Sequence, residues 1–311
     1  MTNKIPTTVV SGFLGSGKTT IISNLIDTLQ KQGEQVVYIK NEIGDADIDS
    51  KILEGKGIKT RELLNGCICC TIVGPFISSI NEIVEKFSPD RIIIEASGAA
   101  DPSALALMIS SHPLLERDGV IGIIDVVNFN GYKDLSVTAQ NQTKFTDLII
   151  FNKIELADLQ QKRAVVGYVR ELNTHSPIIE APNGKVDPTV VFGLNTSELN
   201  KLLSHTPKTH TNHIHKDEIQ AFTLTIQKPT TLSRVENFLQ TLPKNIFRAK
   251  GFVTVNQGEI YIFNTVGNRT TFAQAPNGFQ NENKQGMLIF IGYHANELEA
   301  DITKTLKRLL Q

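Results

Sequence analysis

The sequence predicts an α/β protein in which a larger domain with a mostly parallel β-sheet precedes a smaller α+β domain. Three observations predict this organisation. Across the first two-thirds of the chain, short runs rich in β-branched residues alternate with helical segments, which is typical of βαβ crossovers. Polar residues without periodicity interrupt this pattern near residue 204, and a second series of strands and helices follows them. The length of 311 residues also suits two domains.

Five runs in the first part have the length and composition of buried strands. They cover residues 7–11, 36–40, 91–96, 120–126 and 148–152. The segments predicted as helices between them cover residues 18–32, 74–87, 102–111 and 156–173. Because ligands of parallel sheets bind beyond the carboxyl ends of the strands, we expect the functional site at that edge.

The second part has its own pattern of elements. Predicted strands cover residues 221–226, 251–255, 259–264 and 287–292, and predicted helices cover 231–242 and 297–310. We therefore predict a first domain at residues 1–203, a linker at 204–219 and a C-terminal α+β domain at 220–311.

Composition and charge exclude several classes of protein. The chain has 31 basic and 32 acidic residues, so it lacks the basic surplus of a general nucleic-acid binder. No run approaches the roughly 18 apolar residues of a membrane span, and strand-like sequence near residue 5 argues against a signal peptide. Three cysteines do not make a disulfide framework. We expect a cytoplasmic protein that binds neither nucleic acid nor membrane.

The most specific motif is Gly12-Phe-Leu-Gly-Ser-Gly-Lys-Thr-Thr20, which fits the phosphate-loop pattern G-x-x-x-x-G-K-[ST]. It follows a predicted strand and opens a predicted helix, so backbone N–H groups and the helix N-terminus can face a phosphate. Lys18 is expected at the β- and γ-phosphates, and the Thr19 hydroxyl at Mg²⁺. The motif predicts a P-loop NTPase domain. Its predicted nucleotide-binding residues are Gly12, Gly15, Ser16, Gly17, Lys18, Thr19 and Thr20.

A second nucleotide motif ends the strand at residues 148–152. Asn152, Lys153 and Glu155 resemble the Asn-Lys-x-Asp motif with which GTPases bind guanine, with glutamate in place of aspartate. The longer carboxylate either makes the same bidentate contact with guanine or loosens discrimination against other bases. We predict guanine recognition by these three residues.

A third motif has the form of a γ-phosphate sensor. The apolar strand at residues 91–96 carries Glu95 near its end, and Gly98 follows three residues later. We expect Glu95 near Mg²⁺, directly or through water, and the Gly98 N–H at the γ-phosphate. Lys18, Thr19, Glu95 and Gly98 form the predicted catalytic set. Asp101 and Pro102 also read as a helix cap, which is compatible with this role.

All three cysteines of the chain fall within four consecutive positions, at Cys67, Cys69 and Cys70. In extended backbone Cys67 and Cys69 project to the same face and can chelate one ion, whereas Cys70 faces away unless the chain turns. Thiolates suit Zn²⁺ or another thiophilic ion, but this set needs a further ligand. The acidic residues that follow the second predicted strand, Glu42, Asp45, Asp47 and Asp49, offer one. Core packing, a redox pair and a structural zinc knuckle fit the spacing less well.

In combination, these motifs resemble the CobW-type family of metallochaperone GTPases, relatives of UreG and HypB. The shared residues are 12–20, Asn41-Glu42-x-Gly44, Gly66-Cys-Ile-Cys-Cys-Thr71, Glu95-x-Ser-Gly98, Ala100-Asp-Pro102, Asn152-Lys153, Arg248-Ala-Lys-Gly-Phe252 and Ile289-Phe-Ile-Gly292. The resemblance covers nearly the whole chain. Asp45 stands where the family usually has glutamate, and Lys40 stands where some relatives carry an acid.

The resemblance implies a GTPase that cycles between GTP and GDP with Mg²⁺ and hydrolyses slowly without a partner. It also implies a bound Zn²⁺, or a similar ion such as Co²⁺ or Ni²⁺, that is delivered to a client metalloprotein. The implied ligands are the cysteine motif and acids around residues 41–45. A homodimer that forms with GTP is a further expectation.

Two other functions stay open at this point. One is a nucleotide-gated adaptor that sequesters or senses metal without delivering it, and the other is a P-loop kinase or ATPase. Four of the seven histidines, at positions 205, 210, 213 and 215, fall in the predicted linker. They are equally consistent with a metal reservoir and with a solvated linker.

Overall fold

The computed structural model describes residues 4–41, 59–62, 73–97, 101–131, 137–193, 219–255, 258–275 and 286–310. The chain divides into two compact units, one of Lys4–Phe192 and one that extends over Gly193–Gln311. None of the described helices has both the length and the apolar character needed to cross a membrane.

The described part of the first unit contains a seven-stranded sheet with helices between the strands. The strands are β1 (Ile5–Gly12), β2 (Val36–Asn41), β3 (Lys59–Glu62), β4 (Arg91–Ala96), β5 (Leu115–Asp125), β6 (Leu148–Asn152) and β7 (Ile178–Ala181). Their order is β3-β2-β4-β1-β5-β6-β7, and each neighbouring pair is parallel. This confirms the predicted P-loop-type fold.

The connections between these strands are mostly helical. The helices are α1 (Lys18–Lys31), Val73–Phe87, Pro102–Ser111, Val137–Lys144, Leu159–Leu172 and Pro188–Val191, with short 3₁₀ turns at Ile154–Leu156 and Pro182–Gly184. Every residue of β4 and β6 is buried, as expected for central strands covered on both faces. Alternate residues of β4, Ile92 and Ile94, pack with Phe76 and Ile80 from one helix and Leu105 from the next.

Among the described residues, two strands and two helices of this unit have no counterpart in the sequence prediction, the second helix being the short Pro188–Val191. Strands β3 and β7 have four residues each, and Glu180 in β7 is exposed, so neither forms an apolar run. The helix Val137–Lys144 has the sequence VTAQNQTK, which carries no apolar stripe. Their positions depend on neighbouring elements more than on local pattern.

A buried ion cluster lies at the amino end of β4, away from the loop that follows β1. Arg91 is 1% exposed, and its Nη1 donates to Asp118 Oδ2 over 2.9 Å, while its Nε lies 3.5 Å from Glu34 Oε2. Asp118 occupies a register shift between β1 and β5. The Phe192 ring covers the guanidinium, with 4.6 Å between Cζ and the ring centroid. Two carboxylates and an aromatic face thus surround one buried cation.

The second unit has an antiparallel sheet of five strands within the described residues. They are β8 (Ile219–Ile226), β9 (Ile246–Thr254), β10 (Ile260–Val266), β11 (Arg269–Gln274) and β12 (Gly286–Tyr293), in the order β11-β10-β9-β12-β8. The helices Leu232–Gln240 and Ala295–Leu310 pack on one face through a core that includes Phe238, Phe263 and Phe290. This confirms the predicted α+β domain. The four linker histidines lie outside the described residues.

Candidate nucleotide-binding site

The loop between β1 and α1 has a backbone that only glycine tolerates at two points. Gly12 and Gly17 have φ angles of 145° and 92°. A Cβ on Gly12 would lie 2.4 Å from the Ile123 carbonyl oxygen, and a Cβ on Gly17 would lie 2.2 Å from Asn152 Nδ2. Gly15 is also at positive φ, 76°, but a Cβ there would meet open space. The loop therefore presses against β5 and β6 at its two ends.

Helix α1 begins at this loop without a side-chain cap. Gly17 occupies the N-cap position and, having no side chain, makes no side-chain cap hydrogen bond. The positive end of the helix macrodipole at this terminus therefore favours an anion. Ser16, also in the loop, is 1% exposed, and its hydroxyl has no hydrogen-bond partner among the residues that the structure describes. The exposed Thr20 lies next to Gly184, where a Cβ would be 3.2 Å from Thr20 Cγ2.

Lys18 folds back over the loop instead of extending into solvent. Its Nζ donates to the carbonyl oxygens of Gly12, over 2.9 Å, and Phe13, over 3.2 Å. The same atom lies 4.0 Å from Glu95 Oε1, and the side chain is 7% exposed. The ammonium is thus held at the mouth of the loop beside a carboxylate.

Glu95 comes from β4, next to β1, and lies opposite both Val10 and Lys40 in register. The Thr19 hydroxyl is 3.5 Å from Glu95 Oε1 and 3.4 Å from Oε2, which are long hydrogen bonds. The buried Tyr38 hydroxyl donates to Oε2 over 2.5 Å. The Thr19 hydroxyl and the Glu95 carboxylate are hard oxygen donors of the kind that Mg²⁺ prefers, and the long contacts between them leave their oxygens open to a cation, so these residues fit a magnesium ion.

The end of β6 contacts the phosphate loop through two side chains. Asn152 Nδ2 donates to the Ser16 carbonyl oxygen over 2.9 Å, and Lys153 Nζ donates to that of Gly15 over 3.0 Å. Lys153 adopts the left-handed region with φ of 59°. Glu155, in the following 3₁₀ turn, accepts a hydrogen bond from the Asn183 N–H over 3.1 Å. The two nucleotide motifs, 136 residues apart, are therefore in direct contact.

Besides Tyr38, two residues that contact this site have no role in the site predicted from the sequence. Asp125 ends β5 and forms an ion pair with Lys153, with 2.6 Å between Oδ2 and Nζ. Asn183 belongs to the turn Pro182–Gly184 that follows β7. Signals for both exist in the sequence, since an acid ends an apolar run and Pro-Asn-Gly is a turn sequence. Neither signal indicates which residue is the partner.

The predicted metal ligands Glu42, Asp45, Cys67, Cys69 and Cys70 lie outside the described residues, as does Gly98. Among the residues that are described, no group of three or more His, Cys, Asp or Glu side chains is arranged to hold a metal ion. The described geometry therefore concerns the nucleotide half of the predicted site.

Both parts of the chain match known families. Residues 6–180 match the family described as CobW/HypB/UreG, nucleotide-binding domain. Residues 219–310 match the family described as cobalamin synthesis protein cobW C-terminal domain. The first match covers the phosphate loop, Glu95 and the Asn152–Glu155 segment.

Three curated relatives are similar over most of their length. The zinc chaperone CobW of Sinorhizobium sp is 31% identical over 295 residues, which cover 81% of this chain and 82% of that protein. The zinc chaperone YjiA of Escherichia coli is 25% identical over 312 residues, 96% of each chain. The zinc-regulated GTPase metalloprotein activator 1 of Schizosaccharomyces pombe is 26% identical over 347 residues, covering 94% and 84%. The chain therefore belongs to the CobW/HypB/UreG family, with the family's nucleotide-binding domain followed by the cobW C-terminal domain.

Proposed function

We propose that this protein is a GTP-hydrolysing metallochaperone that binds Zn²⁺ through Cys67, Cys69 and Cys70 and delivers it to a client under nucleotide control. The observation that carries the nucleotide part is the meeting of Lys18, Thr19 and Glu95 at the carboxyl end of β1 and β4. Relatives named zinc chaperone and GTPase metalloprotein activator support the rest.

In this proposal the loop at residues 12–20 binds the phosphates. The N–H groups at the start of α1 donate to phosphate oxygens, and Gly15 and Gly17 allow close approach of the backbone. Lys18 exchanges its bonds to the Gly12 and Phe13 carbonyl oxygens for bonds to β- and γ-phosphate oxygens. This exchange costs little free energy, because the ammonium gives up hydrogen bonds to neutral carbonyl oxygens and gains stronger ones to charged phosphate oxygens. Stabilising negative charge on the phosphates is the main catalytic contribution of these residues.

Thr19 and Glu95 hold Mg²⁺, the hydroxyl directly and the carboxylate directly or through water. The ion supplies positive charge that neutralises phosphate oxygens. Tyr38 orients the carboxylate through its hydrogen bond to Oε2. Gly98, three residues beyond Glu95, is the proposed donor to the γ-phosphate.

Guanine is the proposed base. Asn152 holds the loop, the stem of Lys153 packs along the base, and Glu155 accepts from its N1–H and amino group. Because Glu155 already accepts from the Asn183 N–H, guanine competes with that bond. Replacement of Glu155 by aspartate shortens the side chain by one methylene and removes this competition, so it should increase selectivity for GTP over ATP.

The metal part of the proposal depends on the sequence motif. Two thiolates in a Cys-x-Cys arrangement chelate one Zn²⁺, with Cys70, Glu42 and Asp45 as further ligands. Zn²⁺ is cargo in this scheme, and Co²⁺ and Ni²⁺ suit the same ligands. The segment at residues 41–49 follows β2, the strand beside Glu95, so a ligand there links metal binding to the nucleotide state.

The first test measures phosphate release from GTP and ATP by the full chain. We expect GTP to be preferred and Lys18→Ala to abolish turnover. The matched control is Lys31→Ala, since Lys31 is exposed at the far end of the same helix and should keep full activity. Preference for ATP, or turnover that depends on a phosphate acceptor, would instead support a kinase or ATPase.

The second test measures Zn²⁺ affinity with GDP and with a non-hydrolysable GTP analogue, in competition with a chromophoric chelator. The two affinities should differ, by about 5- to 150-fold for typical coupling between sites. Cys67→Ser combined with Cys69→Ser should abolish tight binding, and Cys70→Ser alone should tell a two-thiolate from a three-thiolate site. Equal affinities with both nucleotides would contradict nucleotide control.

The third test separates delivery from sequestration. Zinc-loaded protein is mixed with an apo-metalloprotein recovered by pull-down from zinc-starved cells, and transfer of labelled zinc is followed with and without GTP. Transfer that requires GTP supports a chaperone. Retention of the metal under all conditions would favour the nucleotide-gated adaptor.

A further inference from the structure

The carboxylate of Asp125 accepts four hydrogen bonds, although the proposed function gives this residue no role. It ends β5 next to Asn152 in register and is buried. Its Oδ2 accepts from Lys153 Nζ over 2.6 Å and from Asn128 Nδ2 over 2.7 Å. Its Oδ1 accepts from the N–H groups of Val127, over 2.9 Å, and Asn128, over 3.2 Å. Four donors therefore fix one carboxylate in position.

The contact with Lys153 fixes a strained residue of the base-binding segment. Lys153 is not a glycine, yet its φ is 59°, a conformation that costs roughly 1–2 kcal/mol for an L-residue and that the surroundings must therefore hold. Its Nζ donates both to Asp125 and to the Gly15 carbonyl oxygen. The ammonium is thus a link between Asp125 and the phosphate loop, and only its aliphatic stem is left for a base.

The turn that follows Asp125 reaches the same loop at a second point. The Phe129 N–H donates to the Asp125 carbonyl oxygen over 3.1 Å. The Phe129 ring stacks on Phe13 with 5.9 Å between centroids, and Tyr168 packs edge-on against it at 6.2 Å. Phe13 in turn accepts from Lys18 through its carbonyl oxygen. Asp125 therefore connects to both halves of the loop, through Gly15 and through Phe13.

We propose that Asp125 is a positioning residue that joins the base-binding segment and the phosphate loop into one unit, so that base and phosphate binding strengthen each other. This rests on the proposed function, since it takes the ligand to be a guanine nucleotide. Asp125 acts through Lys153 and touches no part of the nucleotide itself.

The charge state of Asp125 suits this role. Burial alone raises the pKa of its carboxyl, but the hydrogen bonds from Lys153, Asn128 and Val127 outweigh burial, so the pKa lies below its ordinary value. At neutral pH the carboxylate therefore pairs with the ammonium as an ion. Asparagine at this position keeps the shape and loses the charge.

The test compares the affinities of the full chain for GDP and for pyrophosphate, by displacement of a fluorescent GDP analogue. The dissociation constant for pyrophosphate divided by that for GDP measures what the guanosine part of the ligand adds to binding. Asp125→Asn should reduce this ratio by about 5- to 150-fold, the usual range of coupling between two sites. A purely structural defect would weaken both ligands and leave the ratio unchanged.

Two further variants show whether Asp125 acts through Lys153. Lys153→Met should reduce the ratio by itself, and adding Asp125→Asn to it should change the ratio less than about twofold, because the two residues act as one unit. The matched control is Asp187→Asn, an aspartate that caps the helix Pro188–Val191 and should leave the ratio unchanged. If Asp125→Asn fails to fold, Asn128→Ala replaces it, since Asn128 is exposed and shares Oδ2 with Lys153.

An unchanged ratio in Asp125→Asn, or a full further loss in the Lys153→Met background, overturns the inference alone. A wild-type chain that binds pyrophosphate as tightly as GDP overturns the proposed guanine site together with it. The two failures are therefore distinguishable in one set of titrations.

Discussion

Replacement of Gly17 by alanine tests the packing of the phosphate loop against β6. At a φ of 92° an alanine pays the cost of the left-handed region, roughly 1–2 kcal/mol. Its Cβ would also lie 2.2 Å from Asn152 Nδ2, so that side chain must move and lose its 2.9 Å bond to the Ser16 carbonyl oxygen. Loss of a buried partner costs about 1–3 kcal/mol. We expect Gly17→Ala to lower the free energy of unfolding by about 2–5 kcal/mol.

The neighbouring Gly15 provides a matched control. It has a φ of 76°, but within the described part of the chain no atom lies within 4 Å of the Cβ that alanine would add. Gly15→Ala should therefore cost only the backbone contribution, about 1–2 kcal/mol. The difference between the two variants isolates the contact with Asn152.

The measurement is urea unfolding of the full chain followed by circular dichroism at 222 nm. Because the chain has two compact units, it can unfold in two transitions. The variant Gly251→Ala destabilises the second unit, so the transition that it leaves unchanged is assigned to the first unit and is the one compared between variants. The double variant Gly17→Ala with Asn152→Ala should be less destabilised than the sum of the single variants, by about 1–3 kcal/mol, since the clash is removed. Equal losses in Gly15→Ala and Gly17→Ala, or strict additivity in the double variant, would refute the reasoning.

Two further predictions concern stability elsewhere in the chain. Gly251→Ala would place a Cβ 1.9 Å from the backbone oxygen of Met287 on β12, so we expect the free energy of unfolding of the second unit to fall by at least about 3 kcal/mol. Gly258→Ala, whose Cβ meets no described atom within 4 Å, should lower it by about 1–2 kcal/mol. Thermal unfolding of the two variants measures the difference. Burial, with a smaller effect of Lys4, lowers the pKa of His112 in the folded chain. Below about pH 6.5 the unfolded chain therefore binds more protons at this residue than the folded chain does, and the free energy of unfolding should fall as the pH drops. His112→Gln should reduce this fall between pH 7.5 and 5.5, while His175→Gln, at an exposed position, should not.

The strand, glycine-rich loop and helix at residues 7–32 could be predicted well because three local signals coincide there. An apolar run, a glycine motif and a helical pattern follow each other at residues 7–32, and each depends only on residues close to it in the chain. The prediction of α1 over residues 18–32 accordingly differs from Lys18–Lys31 by one residue. Glu95 and Asn152 could be placed at strand ends because each closes a local apolar run. Site residues are expected there, since ligands bind at the carboxyl edge of a parallel sheet.

The contacts that hold the site together could not be predicted in this way. Asp125 and Lys153 are 28 residues apart, and their pairing depends on the adjacency of β5 and β6. The motif explains Gly17 by close approach to phosphate, whereas the structure adds a close approach to Asn152. Partners of this kind follow from strand order and register, which local periodicity does not contain.

The buried Arg91, at the amino end of β4, bears on how much of the chain the first unit needs in order to fold. The ring of Phe192 shields the Arg91 guanidinium, although Phe192 lies 11 residues beyond the last strand of that sheet. A fragment that stops at β7 would retain the whole sheet and yet leave a buried positive charge open to water on its aromatic side. The smallest nucleotide-binding fragment that is stable in isolation should therefore extend through Phe192, and stepwise C-terminal truncation should show a sharp drop in melting temperature when that residue is lost.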